Sequence, residues 1–235
     1  MGTITLIRHG QASFGKADYD QLSDLGYEQG RQLGHWWRDC GLRIDRVLSG
    51  GMRRHQQTAE ACLESLGADL AASEPPATDA GFREYDHTEM LIRFEPRMRE
   101  ADYVRALFTE SEHPRRAFQA LFTQAFGRWM SGRHDEDYGE PWPAFRDRCM
   151  AALERTMDQA GRSQHTVVFT SGGPITAICQ QLLGLPDDRV AELNASFANG
   201  SITRLLYQPG RVSLSTMNAY PHLERLGDPA AITYR

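Results

Sequence analysis

Apolar positions along the chain follow two periods, and the switches between them lay out the elements. Thr3-Ile4-Thr5-Leu6-Ile7 is a short apolar run that stops at Arg8-His9-Gly10, as a buried strand does when it delivers its last residues to a sheet edge. Gln11 to Gln21 is polar, carries Gly15 and reads as a loop. Ser23 then caps a helix with Asp24 in its first turn; Leu25, Leu33, Trp36 and Trp37 supply its apolar face, and Gly41 ends it. Arg43 to Ser49 predicts a second strand ending in Gly50-Gly51. A helix follows from Arg53, with Ala59, Cys62, Leu63 and Leu66 as its buried stripe and Gly67 as its end. A linker with Pro75-Pro76 leads into a short strand near Ala77 to Phe82.

From about Met90 to Met130 the strand signal disappears. Phe118, Leu121, Phe122, Ala125, Phe126 and Trp129 repeat at helical spacing behind Pro114, which predicts a helical insertion whose aromatic stripe forms a small core of its own or, in part, roofs the pocket. An acidic loop, Ser131 to Pro141, follows it. The α/β pattern then resumes with a helix from Pro143, a strand Thr166-Val167-Val168-Phe169-Thr170, and a helix opened by Ser171-Gly172-Gly173-Pro174. Ser201 to Tyr207 and Val212 to Met217 read as a closing hairpin at one sheet edge. The alternation predicts an α/β fold: a three-layer α/β/α sandwich with a mostly parallel sheet and an inserted helical cap. Residues 1–87 and 142–235 form the core in this reading, and 88–141 the cap.

Composition narrows the partners. A 235-residue chain with a formal net charge of -5 carries no basic footprint for nucleic acid. It has no apolar stretch long enough for a bilayer and no leader pattern before the first strand, so no membrane partner and a cytoplasmic location are expected. Cys40, Cys62, Cys149 and Cys179 are scattered without a Cys-x-x-Cys pair, as buried reduced thiols rather than a disulfide framework or metal site. Neither a metal nor a cofactor is expected.

Four strand ends then carry unusual residues: Arg8-His9-Gly10, Gly50 through Arg54, Arg83-Glu84 and Ser171-Gly172-Gly173. Such ends converge on one edge of an open α/β sheet. Together they hold what phosphoryl transfer requires. A neutral histidine in the right tautomer is a nucleophile. Two arginines clamp non-bridging oxygens bidentately and offset their charge. A carboxyl group kept protonated by burial donates to the leaving oxygen. Glu84 is the candidate acid, with Asp86 and His87 a turn away. Arg53 competes with Arg54 for the second clamp position, and the register with Gln57-Thr58-Ala59 favours Arg54.

At these residues the chain resembles the histidine phosphatase superfamily, which includes phosphoglycerate mutases and fructose-bisphosphate phosphatases. Arg8-His9-Gly10 is similar to its RHG signature, and Leu22-Ser23-Asp24-Leu25-Gly26 with Gln29 to its next segment. Arg54 with Gln57-Thr58-Ala59 resembles its second phosphate-binding arginine motif, and Phe82-Arg83-Glu84 the stretch holding its proton donor. Gly139-Glu140 with Phe145 and Arg148, Asn199-Gly200-Ser201, and Asn218 with His222-Leu223 also match in order. The resemblance implies a phosphohistidine on His9, Arg8 and Arg54 as the clamp, Glu84 as the acid, and a homodimer. Gln11, Ser13, Ser171 and Gly172 join Arg8 and Arg54 as expected substrate contacts.

Two departures stand out. The family places a second histidine before Gly-Gly at a strand end, where this chain has Ser171. A serine brings no positive charge, although it donates one hydrogen bond and the helix N-terminus with its glycine amides remains an anion site. After His9, Ala12 and Gly15 stand where the family has a hydroxyl residue and an asparagine, with Ser13 beside the first. His35, His55, His113, His134 and His165 read as surface or packing residues, and His222 is left open. The leading reading is a metal-independent phosphomonoesterase for a small phosphorylated metabolite, with inorganic phosphate as its simplest ligand. The alternatives are a weak or inactive protein that binds a phosphorylated ligand and, with less support, a phosphoglycerate mutase-type phosphotransferase.

Overall fold

The computed structural model describes residues 1–13, 20–161 and 163–234, with every side chain in them except that of Arg115; Gly15 lies outside these. Strands β1 (Gly2–Arg8), β2 (Arg46–Ser49), β3 (Ala77–Thr78), β4 (His165–Thr170), β5 (Ile202–Gln208) and β6 (Arg211–Ala219) form one sheet in the order β3-β2-β4-β1-β5-β6. The first four run parallel, and β5 and β6 close the edge antiparallel. The α-helices among the described residues are α1 (Asp24–Asp39), α2 (Arg53–Leu66), α3 (His87–Phe94), α4 (Ala101–Thr109), α5 (Pro114–Met130), α6 (Trp142–Gln159), α7 (Gly172–Leu183), α8 (Asp187–Ser196) and α9 (Pro221–Glu224), with short 3₁₀ turns between some of them. No described helix is long and apolar enough to cross a membrane.

Alternation within the strands makes the layers. Ile7, Val47, Val167, Phe169 and Ile202 pack with Leu33, Trp37, Ala59, Cys62 and Leu66 of α1 and α2 on one face. Leu6, Leu48, Val168 and Leu205 turn to the other, against Phe145, Cys149, Leu153, Ile175 and Ile178 of α6 and α7. The mostly parallel sheet between two helical layers is the predicted α/β architecture. Cys62, Cys149 and Cys179 are buried free thiols, but Cys40 is exposed at the end of α1, contrary to expectation.

Three details differ from the sequence reading. β2 begins at Arg46: Ile44 N–H donates to Leu70 O instead of to a strand, and the Asp45 carboxylate takes the His165 N–H, although Asp45 N–H still donates to His165 O. β3 stops at Thr78, because the Asp79 carboxylate accepts from Gly81 N–H and tightens the chain into a 3₁₀ turn at Ala80–Phe82. The aromatic stripe of α5 has no core of its own: Phe126 and Trp129 pack with Tyr85, Trp142 and Phe145 in the same cluster as the sheet residues.

Candidate active site

Register brings three of the strand ends together, and the turn after β3 adds Arg83-Glu84. Arg8 pairs with Thr170 across β1 and β4, and Ser49 with Phe169 across β2 and β4, so His9, Gly50 and Ser171 leave one edge side by side. His9 N–H donates to Thr170 O at 2.9 Å and Gly50 N–H to Phe169 O at 3.0 Å. A cavity of about 770 Å³ opens above this edge, within the range of small-ligand sites. Its wall includes Arg8, His9, Gln11, Ser13, Arg54, Glu84 and Gly172. Ser171 is fully buried and does not line it.

His9 is set up as a nucleophile by its own neighbour. Its Nδ1 lies 2.7 Å from Gly10 O, which can only accept, so Nδ1 carries the hydrogen and the Nε2 lone pair is the reactive one. Burial, Arg54, Arg8 and then His55 lower its pKa well below the ordinary histidine value, against the Gly10 bond, so the ring is neutral near pH 7. The turn behind it is packed backbone on backbone. A Cβ on Gly10 would meet Gly26 O at 2.2 Å, which restricts this position of the motif to glycine.

The second motif holds that turn in place. Thr58 Oγ1 accepts from Gly10 N–H at 3.1 Å and donates to Arg54 O at 2.7 Å. Gln57 Oε1 accepts from Leu22 N–H, and Gln29 Oε1 from Gln11 N–H. Ser23 caps α1 through Gly26 N–H and donates to Gln11. Ser13 lines the cavity, with its hydroxyl donating to Leu22 O at 2.9 Å.

The arginines reach the edge from opposite sides. Arg8 Nη1 donates to the carbonyls of Phe197 and Tyr234. Arg54 Nη1 donates to Asp20 Oδ1 at 2.9 Å, so an incoming anion meets a guanidinium that already holds a carboxylate. Arg53 presents its backbone N–H to the same Asp20, which leaves the cavity wall to Arg54.

Glu84 occupies the turn after the 3₁₀ segment. Burial raises its carboxyl pKa against the opposing pull of Arg54 and a Gly173 amide bond, favouring the protonated acid. Arg148 fixes the turn: its guanidinium pairs with both oxygens of Glu140 and donates to the carbonyls of Ala80, Gly81 and Arg83. His87 also lines the cavity, at the start of α3, while Asp86 caps that helix.

Sequence reasoning missed His55 and part of the cavity rim. His55, read as a surface or packing residue, is fully buried with its ring centroid 5.8 Å from that of His9 and Nε2 2.6 Å from Ser171 Oγ. Its place directly after Arg54 was the available signal. Phe118 and Phe122 of the α5 stripe line the cavity as its alternative reading had them, and Phe108 of α4 with Thr233 and Tyr234 of the C-terminal segment joins them without a signal in the sequence. His222 is buried away from it, beside Trp36, and does not line the wall.

Comparison with known proteins shows the chain's family and fold. Residues 4–91 and 86–220 match the family model of the histidine phosphatase superfamily (branch 1). A 2,3-bisphosphoglycerate-dependent phosphoglycerate mutase of Methylorubrum extorquens is 31% identical over 71 residues, which is 27% of this chain and spans only 33% of that protein. Among solved structures, phosphoglycerate mutase from Bacillus anthracis superposes with a TM-score of 0.65 at 18% identity, covering 97% of both chains. A phosphoserine phosphatase mutant from Entamoeba histolytica bound to phosphoserine gives 0.65 at 17% identity, over 95% of this chain and 100% of that one. A mycobacterial glucosyl-3-phosphoglycerate phosphatase complexed with VO3 gives 0.58 at 20%, over 93% and 100%. With a family match across most of its length and that family's fold, this chain belongs to the histidine phosphatase superfamily.

Proposed function

We propose that the protein is a metal-independent phosphatase that hydrolyses monoesters of small metabolites through a phosphohistidine on His9. The observation that carries the reading is the His9 Nδ1 bond to Gly10 O, which leaves Nε2 as the attacking nitrogen in a cavity shared with Arg8, Arg54 and Glu84. In this reading His9 Nε2 forms a bond to phosphorus as the ester P–O bond breaks, and the Glu84 carboxyl gives its proton to the departing alcohol oxygen. Arg8 and Arg54 hold the equatorial oxygens as charge spreads over them. Water then attacks the phosphohistidine, the P–N bond breaks, and the Glu84 carboxylate takes the proton from water, which returns both groups to their starting state.

The segment 88–141 acts as the cap that sets preference for the leaving group. Tyr85, Phe108, Phe118 and Phe122 make much of the wall apolar, which suits an alcohol with an aromatic or hydrocarbon body. The likeness to named phosphatases and mutases is one of fold and carries no substrate across.

Incubation with p-nitrophenyl phosphate and a panel of sugar, nucleotide and aryl phosphates tests the reading, with His9→Ala beside wild type. Turnover is expected in wild type and a loss of about 10⁴-fold or more in the variant, the scale seen when a covalent nucleophile is removed. Acid-labile phosphate trapped on His9 would be seen by ³¹P NMR. Wild type as inert as the variant, with inorganic phosphate still bound, would leave a phosphate-binding protein without turnover.

A further inference from the structure

His55 is the buried imidazole beside His9 to which the phosphohistidine scheme assigns no task. It follows Arg54 on α2, and its Nε2 lies 2.6 Å from Ser171 Oγ, across the end of β4. Its Nδ1 has no hydrogen-bond partner, and Gly50 packs against that nitrogen so tightly that a Cβ there would lie 2.7 Å away. These contacts assign the tautomer. Burial, Arg54 and Arg83 keep the ring neutral, so it carries one hydrogen. An orphaned buried N–H is rarer in proteins than an orphaned acceptor, so the hydrogen belongs on Nε2 and is donated to Ser171 Oγ.

Ser171 is then fully committed on its acceptor side. Arg54 Nη2 approaches the same oxygen at 3.5 Å, so both lone pairs face donors. Ser171 is itself buried beneath the cavity, and its link to the wall is this contact with Arg54, which lines it.

We propose that His55 and Ser171 act as one unit behind the clamp: His55 Nε2–H holds the Ser171 hydroxyl, whose oxygen in turn accepts from Arg54 Nη2 and sets that guanidinium for the phosphoryl group held by Arg8 and Arg54. His55 is a positioning residue acting through Ser171. The inference rests on the phosphoryl-transfer reading of the site. It turns the departure at position 171 into a relocation: the ring sits on α2 instead of at the end of β4, and a serine leaves it the volume it needs.

The test is a swap made in the full chain, with folding followed by circular dichroism and thermal melting. His55→Ala should lower kcat on p-nitrophenyl phosphate about 10²-fold, the usual effect of a site group left misplaced, with KM changed less than about threefold. Ser171→His in that background should restore kcat by about tenfold or more, whereas Ser171→His alone should melt earlier and turn over more slowly. His55→Gln, which retains an N–H in place of Nε2–H, should exceed His55→Ala and carries the comparison if the alanine variant does not fold. A purely structural His55 predicts no rescue from moving the ring. Folded His55→Ala with wild-type kcat, or a folded double variant no faster than the single one, overturns the proposal.

Two readouts do not need turnover. Long-range ¹H–¹⁵N spectra of wild type should place the His55 proton on Nε2, and a proton on Nδ1 overturns the proposal. His55→Ala should weaken orthovanadate binding more than inorganic phosphate binding, because vanadate takes the five-coordinate shape of the transferring group; equal loss also counts against it. Wild type with both signatures and no hydrolysis would sink the phosphatase reading and leave the His55 assignment standing.

Discussion

Burial pushes His9, His55 and Glu84 toward their uncharged forms, and the consequences for acid stability have opposite signs. For the two histidines the folded pKa lies below the unfolded value, so as the pH falls the unfolded chain takes protons that the native chain refuses, and stability is lost. For Glu84 the folded pKa is raised, so its contribution is present at low pH and is lost as the pH rises through the folded value. His222 offers the cleanest measurement, because it is buried outside the cavity wall with neither ring nitrogen bonded and its pKa is lowered to about 3, by burial and then Arg225. Between an unfolded value near 6.5 and that folded value it should cost about 2 kcal/mol at pH 5 relative to pH 7. His222→Phe should therefore lose about 2 kcal/mol less than wild type over that interval in urea unfolding, with kcat unchanged. Equal losses would mean that His222 takes up its proton in the folded chain.

At the scale of elements, the site is made by how strands end and helices begin. α7 opens with Gly172 and Gly173, and the second of these must lack a side chain: a Cβ there would lie 2.0 Å from Glu84 Oε1 and 2.8 Å from Tyr85. Gly173→Ala is expected to displace the carboxyl group while leaving the arginine clamp in place. kcat on an alkyl phosphate, whose leaving oxygen needs the proton, should fall about 10²-fold, with inhibition by inorganic phosphate little altered. An unchanged kcat would remove Glu84 from the acid role. These strand ends were legible in the sequence because an apolar run broken by Arg8-His9-Gly10 or Ser171-Gly172-Gly173 has few other readings. α8 escaped notice because Val190 is the residue it buries, so it prints almost no periodicity. His55 escaped because burial of an imidazole on α2 depends on what faces it from β4.

For the whole molecule, the question is whether the helical segment 88–141 is a separable cap. Trp129 of α5 lies 4.8 Å from the Tyr85 ring and 5.2 Å from that of Trp142, and its Nε1–H donates to Glu140 O, the residue whose carboxylate holds Arg148. Cap, acid turn and α6 thus share one core. Trp129→Ala should cost about 3–5 kcal/mol, with a single cooperative melt at lower temperature in place of an early cap transition. It should also reduce kcat through the Glu140–Arg148 support of Glu84. Two resolved transitions, the later at the wild-type temperature, would show that the segment folds as its own unit.

The sequence by itself determined the layered α/β plan and the motif residues Arg8, His9, Arg54 and Glu84, because strand and helix periods and special strand-end residues are local signals. Only the tertiary structure decided what surrounds them. It seated His55 against Ser171, gave Arg54 an Asp20 partner, brought Phe118, Phe122 and Tyr234 to the cavity and merged the α5 stripe with the main core. Each of these contacts joins segments far apart in the chain, and their pairing is set by sheet register and packing rather than by any local pattern.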